Sequence, residues 1–377
     1  MKLSMRILSL LLIIAIPITV SADFSPTNKP AAYILMDYDT GTVMAEYNPD
    51  EPRPIASVTK VMTMLLCMEA IQAGKITFDD VVTASEYACS MGGSQIYLEP
   101  GEQMTVTDLM KSIAVGSAND ACVAMAEYIM GSETTFVDAM NERAKALGMR
   151  NTHFVNCNGL DAENHYSSAR DVAVMSRELL KHDAIRPFLS IWMDTVRNGE
   201  FGLSNTNKLI RFYEGAIGVK TGSTTNAKYC LSSAATRNGL TLIGVVLGAE
   251  TTADRFETAK ELLNYGFSNY KIQTIVEKGE DMGTVKVKKG TAETVGAVTG
   301  EEFKKLTDKQ NGIKTERNVI LDEEIKAPVK KGQQIGKIEL TENGKKIGEV
   351  SIVASDDVIR IGTADVLLSL VREWLLK

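Results

Sequence analysis

The sequence predicts a mixed α/β (α+β) chain: one antiparallel sheet covered by helices, followed by a small all-β domain. Three observations predict it. Strand-like segments lie at both ends of residues 29–270, with a helical middle between them, so the two ends close a single sheet. Asn238-Gly239 separates two apolar runs as a tight hairpin turn. From residue 271 the texture changes to short strands among Gly, Lys and Glu turns.

Residues 1–22 read as a secretory signal. Lys2 and Arg6 open it, an apolar run extends to Val20, and Val20-Ser21-Ala22 presents small residues for cleavage after Ala22. The apolar run is short for a membrane span, so the mature chain is expected outside the cytoplasm. Residues 31–36 and 42–47 form a predicted hairpin around Asp39-Thr40-Gly41. Residues 57–73 are predicted helical, with Val61, Met64, Leu65, Met68 and Ile71 on one face and Gly74 as the stop. Helices are predicted over 120–130 and 134–147 within the helical middle at 106–180. Strands follow at 218–221, 229–235 and 241–247, then a helix at 252–263. Residues 29–270 form the expected first domain. Residues 271–361 form the β-rich one, with strands at 285–287, 319–321, 335–340 and 350–353. Residues 363–377 predict a terminal amphipathic helix, with Leu367, Val371, Trp374 and Leu375 on one face.

Hydrophobic residues make up 44% of the 377 and charged residues 24%, a globular composition. A net charge of −7 argues against a nucleic-acid partner, because phosphate binding needs a basic face. Cys67, Cys89, Cys122, Cys157 and Cys230 are odd in number and lack CxxC spacing, so they read as small buried residues. His153, His165 and His182 show no metal-ligand spacing, so no metal and no cofactor are expected.

Three short motifs carry the chemistry. In Ser57-Val58-Thr59-Lys60, positions i and i+3 share a helix face, which brings the Lys60 amine within reach of the Ser57 hydroxyl. A lysine of lowered pKa can take a serine proton. Ser117-Ala118-Asn119 can bring a hydroxyl and an amide into a cleft; the same residues, with Asp120, also suit a helix N-cap. Lys220-Thr221-Gly222-Ser223 closes a strand, where Lys220 and Thr221 can hold an anion and Gly222 permits close backbone approach. A second SxxK, Ser268 to Lys271, reads as chance.

In this order, in a secreted chain, the three motifs resemble the signature of serine penicillin-binding enzymes. The chain resembles in particular the low-molecular-mass penicillin-binding proteins of the serine-type D-alanyl-D-alanine carboxypeptidase family. The likeness extends to residues 32–37, the run from Ser117 to Ala126, Asn151-Thr152-His153-Phe154, Gly159-Leu160-Asp161 and Ser167-Ser168-Ala169-Arg170-Asp171. It implies a β-lactamase/transpeptidase-like catalytic domain that removes the terminal D-alanine from peptidoglycan stem peptides and binds β-lactam antibiotics covalently. By motif, it implies Ser57 as nucleophile and Lys60 as base. Ser117 and Asn119 would shape the cleft and pass a proton to the leaving group. Lys220 would lower the Lys60 pKa and attract the carboxylate that Thr221 binds. The Ser57 and Ser223 amides, beside Gly222, would form the oxyanion hole. It also implies attachment to the outer face of the cytoplasmic membrane by the terminal helix. Two positions depart from the family: Gly248-Ala249-Glu250 stands where an arginine grips the carboxylate in some members, and Asn158 where histidine is frequent. A D,D-endopeptidase, a β-lactamase and a non-catalytic peptidoglycan-binding protein remain as alternatives.

Overall fold

The computed structural model describes residues 24–310 and 314–362; the expected signal segment (1–22) and terminal helix (363–377) lie outside the described residues. Strands β1 (Ala32–Asp37) and β2 (Val43–Tyr47) form the opening hairpin. A 3₁₀ turn at Ala56–Thr59 leads into α1 (Lys60–Gln72). The helical middle follows: β3 (Val81–Thr83), α2 (Glu86–Cys89), β4 (Gln103–Thr105), α3 (Val106–Lys111), a π turn at Ser112–Gly116, α4 (Asn119–Met130), α5 (Glu133–Ala146), α6 (Ala169–Leu179) and α7 (Arg186–Leu189). A small hairpin, β5 (Met193–Val196) with β6 (Phe201–Ser204), and a turn of helix, α8 (Leu209–Phe212), precede β7 (Ala216–Thr224), β8 (Lys228–Arg237), β9 (Leu240–Ala249) and α9 (Thr252–Asn269).

The main sheet has the order β2-β1-β9-β8-β7, built from both ends of the chain as expected, and every pairing in it is antiparallel. Asn238 and Gly239 both have positive φ, the backbone that a two-residue hairpin turn demands. In β9 the side chains alternate between two cores. Leu240, Leu242 and Val246 pack with Phe256, Leu262 and Leu263 of α9. Ile243, Val245 and Leu247 pack with the helices on the other face. Burial on both faces explains why β9 is a continuous apolar run. Helix α1 departs from its expected one-sided pattern: residues 60–68 are all buried. It is the central helix of the domain, surrounded by apolar contacts.

Two small hairpins, β3–β4 and β5–β6, do not stand out in the sequence. They are three and four residues long and leave half or more of their side chains at least partly exposed, too little for a period-2 signal. The C-terminal part is all-β: β10 (Tyr270–Val276), β11 (Asp281–Lys288), β12 (Thr294–Thr299), β13 (Phe303–Asp308), β14 (Glu316–Leu321), β15 (Glu324–Lys326), β16 (Gln334–Glu342) and β17 (Lys345–Ala354). Its six-stranded sheet, β14-β16-β17-β12-β11-β15, encloses a separate core of Val285, Ile335, Ile338, Leu340, Val350 and Ile352.

Candidate active site

The three motifs converge where the start of α1, the start of α4 and the outer strand β7 meet. Ser57 sits in the 3₁₀ turn ahead of α1, half-buried, and Lys60 opens the helix fully buried. Lys60 Nζ lies 2.8 Å from Ser57 Oγ, 2.6 Å from Asn119 Oδ1 and 2.6 Å from the Asn158 carbonyl oxygen. The last two atoms can only accept. A neutral amine has two protons and one lone pair, so these acceptors consume both protons and leave the lone pair facing the Ser57 hydroxyl. Burial lowers the Lys60 pKa from its ordinary value, which favours that neutral form.

Asn119 is not a helix cap. Its Nδ2 donates to the Gly92 carbonyl at 2.6 Å, which fixes Oδ1 toward Lys60, and Ala118 holds the N-cap position without a side-chain bond. Asp120, the other capping candidate, is buried and accepts from the backbone amides of Ile96, Leu98 and Ala121. It thereby anchors the 94–98 loop against α4, while Arg197 binds the Ile96 and Tyr97 carbonyls from the other side. Ser117 lies between the π turn and α4 with φ 61°, buried. Among the described residues no hydrogen bond joins its hydroxyl to Ser57 or Lys60.

Strand β7 is the outer strand of its sheet, so one edge is left for the Ser57 turn. Gly222 makes this approach possible: a β-carbon there would stand 2.6 Å from the Ile55 carbonyl oxygen and 2.9 Å from the Ser57 amide. Gly159 meets the same turn from the opposite side, where a β-carbon would stand 2.0 Å from the Ala56 carbonyl oxygen. Ala56 itself has φ 48°, an uncommon conformation for a residue with a β-carbon. Ser223 is exposed at the end of the strand.

Lys220 is 1% exposed, and the only hydrogen bond of its amine among the described residues goes to the Thr221 carbonyl at 3.2 Å. Burial, and then the positive charge of Lys60, push its pKa well below the ordinary lysine value. Burial heads the causes at Lys60, and the repulsion between the two amines is felt at Lys220. The Thr221 hydroxyl bonds the Thr206 hydroxyl at 2.6 Å. Arg255, on α9, is buried and donates to the Gly222 and Cys230 carbonyls at 3.2 and 3.3 Å, bracing β7 and β8 from the helix. Glu250 pairs with Lys228.

Sequence reasoning missed several of these parts. The Asn158 carbonyl is a backbone atom, so its contribution leaves no trace in residue type. His165 is buried; its Nδ1 accepts from the Val155 amide, so Nε2 carries the proton and donates to Thr59 Oγ1 at 2.8 Å. This bond braces the turn between Ser57 and Lys60. Ser268 and Lys271, the second SxxK, lie at the junction of α9 and β10, on different elements from Ser57 and Lys60. The described residues contain no cluster of His, Cys, Asp and Glu able to hold a metal.

The D-alanyl-D-alanine carboxypeptidase family model matches residues 19–251, and the model for the C-terminal domain of penicillin-binding protein 5 matches residues 270–360. The carboxypeptidase DacF of Bacillus subtilis is 44% identical over 347 residues, covering 90% of this chain and 89% of DacF. The carboxypeptidase DacC of Escherichia coli is 35% identical, covering 89% of this chain and 85% of DacC. Penicillin-binding protein 5 from Haemophilus influenzae superposes with a TM-score of 0.71 at 32% identity, over 89% of this chain and 99% of its own.

Proposed function

This chain belongs to the D-alanyl-D-alanine carboxypeptidase family and is a serine-type peptidase of cell-wall peptide, and on that premise we propose that Ser57 carries the acyl-enzyme and Lys60 moves its proton. Ser57 Oγ attacks the carbonyl carbon of the D-Ala–D-Ala bond and gives its proton to the neutral Lys60 amine. The backbone amides of Ser57 and Ser223 hold the oxyanion that develops. The C–N bond then breaks, and the proton passes to the leaving D-alanine nitrogen, with the Ser117 hydroxyl as carrier. Water attacks the ester and gives a proton to Lys60; the ester C–O bond breaks, Lys60 returns that proton to Ser57 Oγ, and the shortened peptide leaves with its new carboxyl group. Asn119 keeps the Lys60 amine aimed throughout. Lys220 and Thr221 take the terminal carboxylate. A β-lactam enters as a mimic of the scissile amide and stays on Ser57.

The observation that carries this reading is the Lys60 amine, buried, with two obligate acceptors and the Ser57 hydroxyl as its third neighbour. Incubation with a stem pentapeptide tests it: the peptide product is lighter by one alanine residue, and free alanine is released. Cleavage only at an internal cross-link identifies an endopeptidase instead.

The catalytic domain is taken as 29–270 and the β domain as 271–361. Support comes from α9 ending where β10 begins, at Tyr270, and from the two family matches falling on either side. The enzyme works outside the cytoplasm, and residues 363–377 hold it to the outer face of the membrane. The apolar face of that segment and its Trp374 support this, from sequence alone. No helix among the described residues is long and apolar enough to cross a membrane.

A further inference from the structure

Thr206 stands on the short segment between β6 and α8, ahead of the Lys220 motif and outside all three motifs. The segment is firmly built. Asn205 is buried; its Nδ2 donates to the Ile191 carbonyl at 2.6 Å and its Oδ1 accepts from the Asn207 amide at 2.8 Å. Asn207 is also buried; its Nδ2 donates to the Gly218 carbonyl in β7 at 3.0 Å and its Oδ1 accepts from the Leu209 amide at 3.1 Å. The Thr206 amide donates to the Val115 carbonyl, in the turn that leads to Ser117. Both neighbours of Thr206 thus spend their side chains tying the segment together and to β7 and the residues just after α7. Thr206 itself is exposed, and its hydroxyl meets the hydroxyl of Thr221 at 2.6 Å.

Resting on the reading of Lys220 and Thr221 as the carboxylate site, we propose that Thr206 is a positioning residue that orients the Thr221 hydroxyl for the substrate's terminal carboxylate. A hydroxyl has one proton and two acceptor lone pairs. In the free site the Thr221 proton lies on Thr206 Oγ1. A carboxylate can only accept, so on binding Thr221 turns its proton to the substrate. Thr206 then rotates its own proton onto Thr221 Oγ1. The second hydroxyl accepts in one state and donates in the other, and the bonds in such a chain polarise one another. Valine has the shape of threonine without this proton and lone pairs.

The contact lies at the carboxylate end, away from the reacting carbonyl, so its loss falls on KM rather than kcat. Steady-state kinetics on a pentapeptide with Thr206→Val, Thr206→Ser and Thr221→Val tests this. Thr206→Val is expected to raise KM about fivefold, the scale of one neutral hydrogen bond, and to leave kcat within about twofold. Thr206→Ser restores KM. An unchanged KM in Thr206→Val beside a raised KM in Thr221→Val overturns the role of Thr206 alone. An unchanged KM in both overturns the carboxylate site as well. Failure of serine to rescue, or a fall in kcat without a change in KM, also overturns the role of Thr206.

Discussion

Gly222 and Ser57 approach so closely that a β-carbon on Gly222 would stand 2.9 Å from the Ser57 amide nitrogen. The same β-carbon would crowd the Ile55 carbonyl oxygen and the Val58 amide, both backbone atoms that no side-chain rotation can move away. Gly222→Ala therefore separates β7 from the Ser57 turn and spreads the two amides proposed to hold the oxyanion. Acylation by penicillin should slow by about 100-fold or more, the scale of losing one such donor. Stopped-flow acylation kinetics measure it; a near-normal rate would mean that this approach does not shape the oxyanion hole.

Burial and Lys60 hold the Lys220 pKa down in the free site. A bound carboxylate acts in the opposite sense and favours the charged ammonium. Binding of a D-Ala-D-Ala peptide to the Ser57→Ala variant should then take up a proton at any pH where Lys220 of the free site is neutral. Calorimetry in buffers of different ionisation enthalpy reads the uptake directly. Binding with no net proton uptake would show that Lys220 is already charged in the free enzyme.

His165 is buried neutral, and burial lowers its pKa from 6.5 to about 4. Between these values the unfolded chain binds a proton that the folded chain refuses, so stability falls as pH drops through this window. The imidazole contribution is intact above 6.5 and lost by about 4, with a span on the order of 3 kcal/mol. Melting temperature against pH should therefore fall more steeply for the native enzyme than for His165→Asn. Parallel curves would place the acid sensitivity elsewhere.

Residues 363–377 carry a prediction independent of the chemistry. Their deletion should move the mature enzyme from the membrane to the soluble fraction while turnover of small peptides is kept. Unfolding of the truncated chain would instead make this segment part of the β domain's support.

The motifs were legible because each packs its chemistry into three or four consecutive residues with a fixed local geometry. Ser57 and Lys60 meet through one helical turn, which spacing alone foretells. The sheet was legible for a similar reason, since β7, β8 and β9 are long runs joined at Asn238-Gly239. The supporting parts were not. Asn158 acts through its carbonyl, which every residue has, and Gly159 through the backbone of a turn distant in sequence. Asn119 resembled a cap because caps and cleft amides use the same residue types. His165 and Thr206 meet Thr59 and Thr221 only through tertiary folding, and neither sits in a pattern of its own.

The central claim is that Ser57 is the acylated nucleophile. Benzylpenicillin treatment of the mature enzyme, followed by peptide mapping with mass spectrometry, tests it most directly. A single penicilloyl adduct on the peptide that contains Ser57, abolished in Ser57→Ala with the fold intact, is the predicted result. An adduct on any other residue, or one that persists in Ser57→Ala, would contradict it.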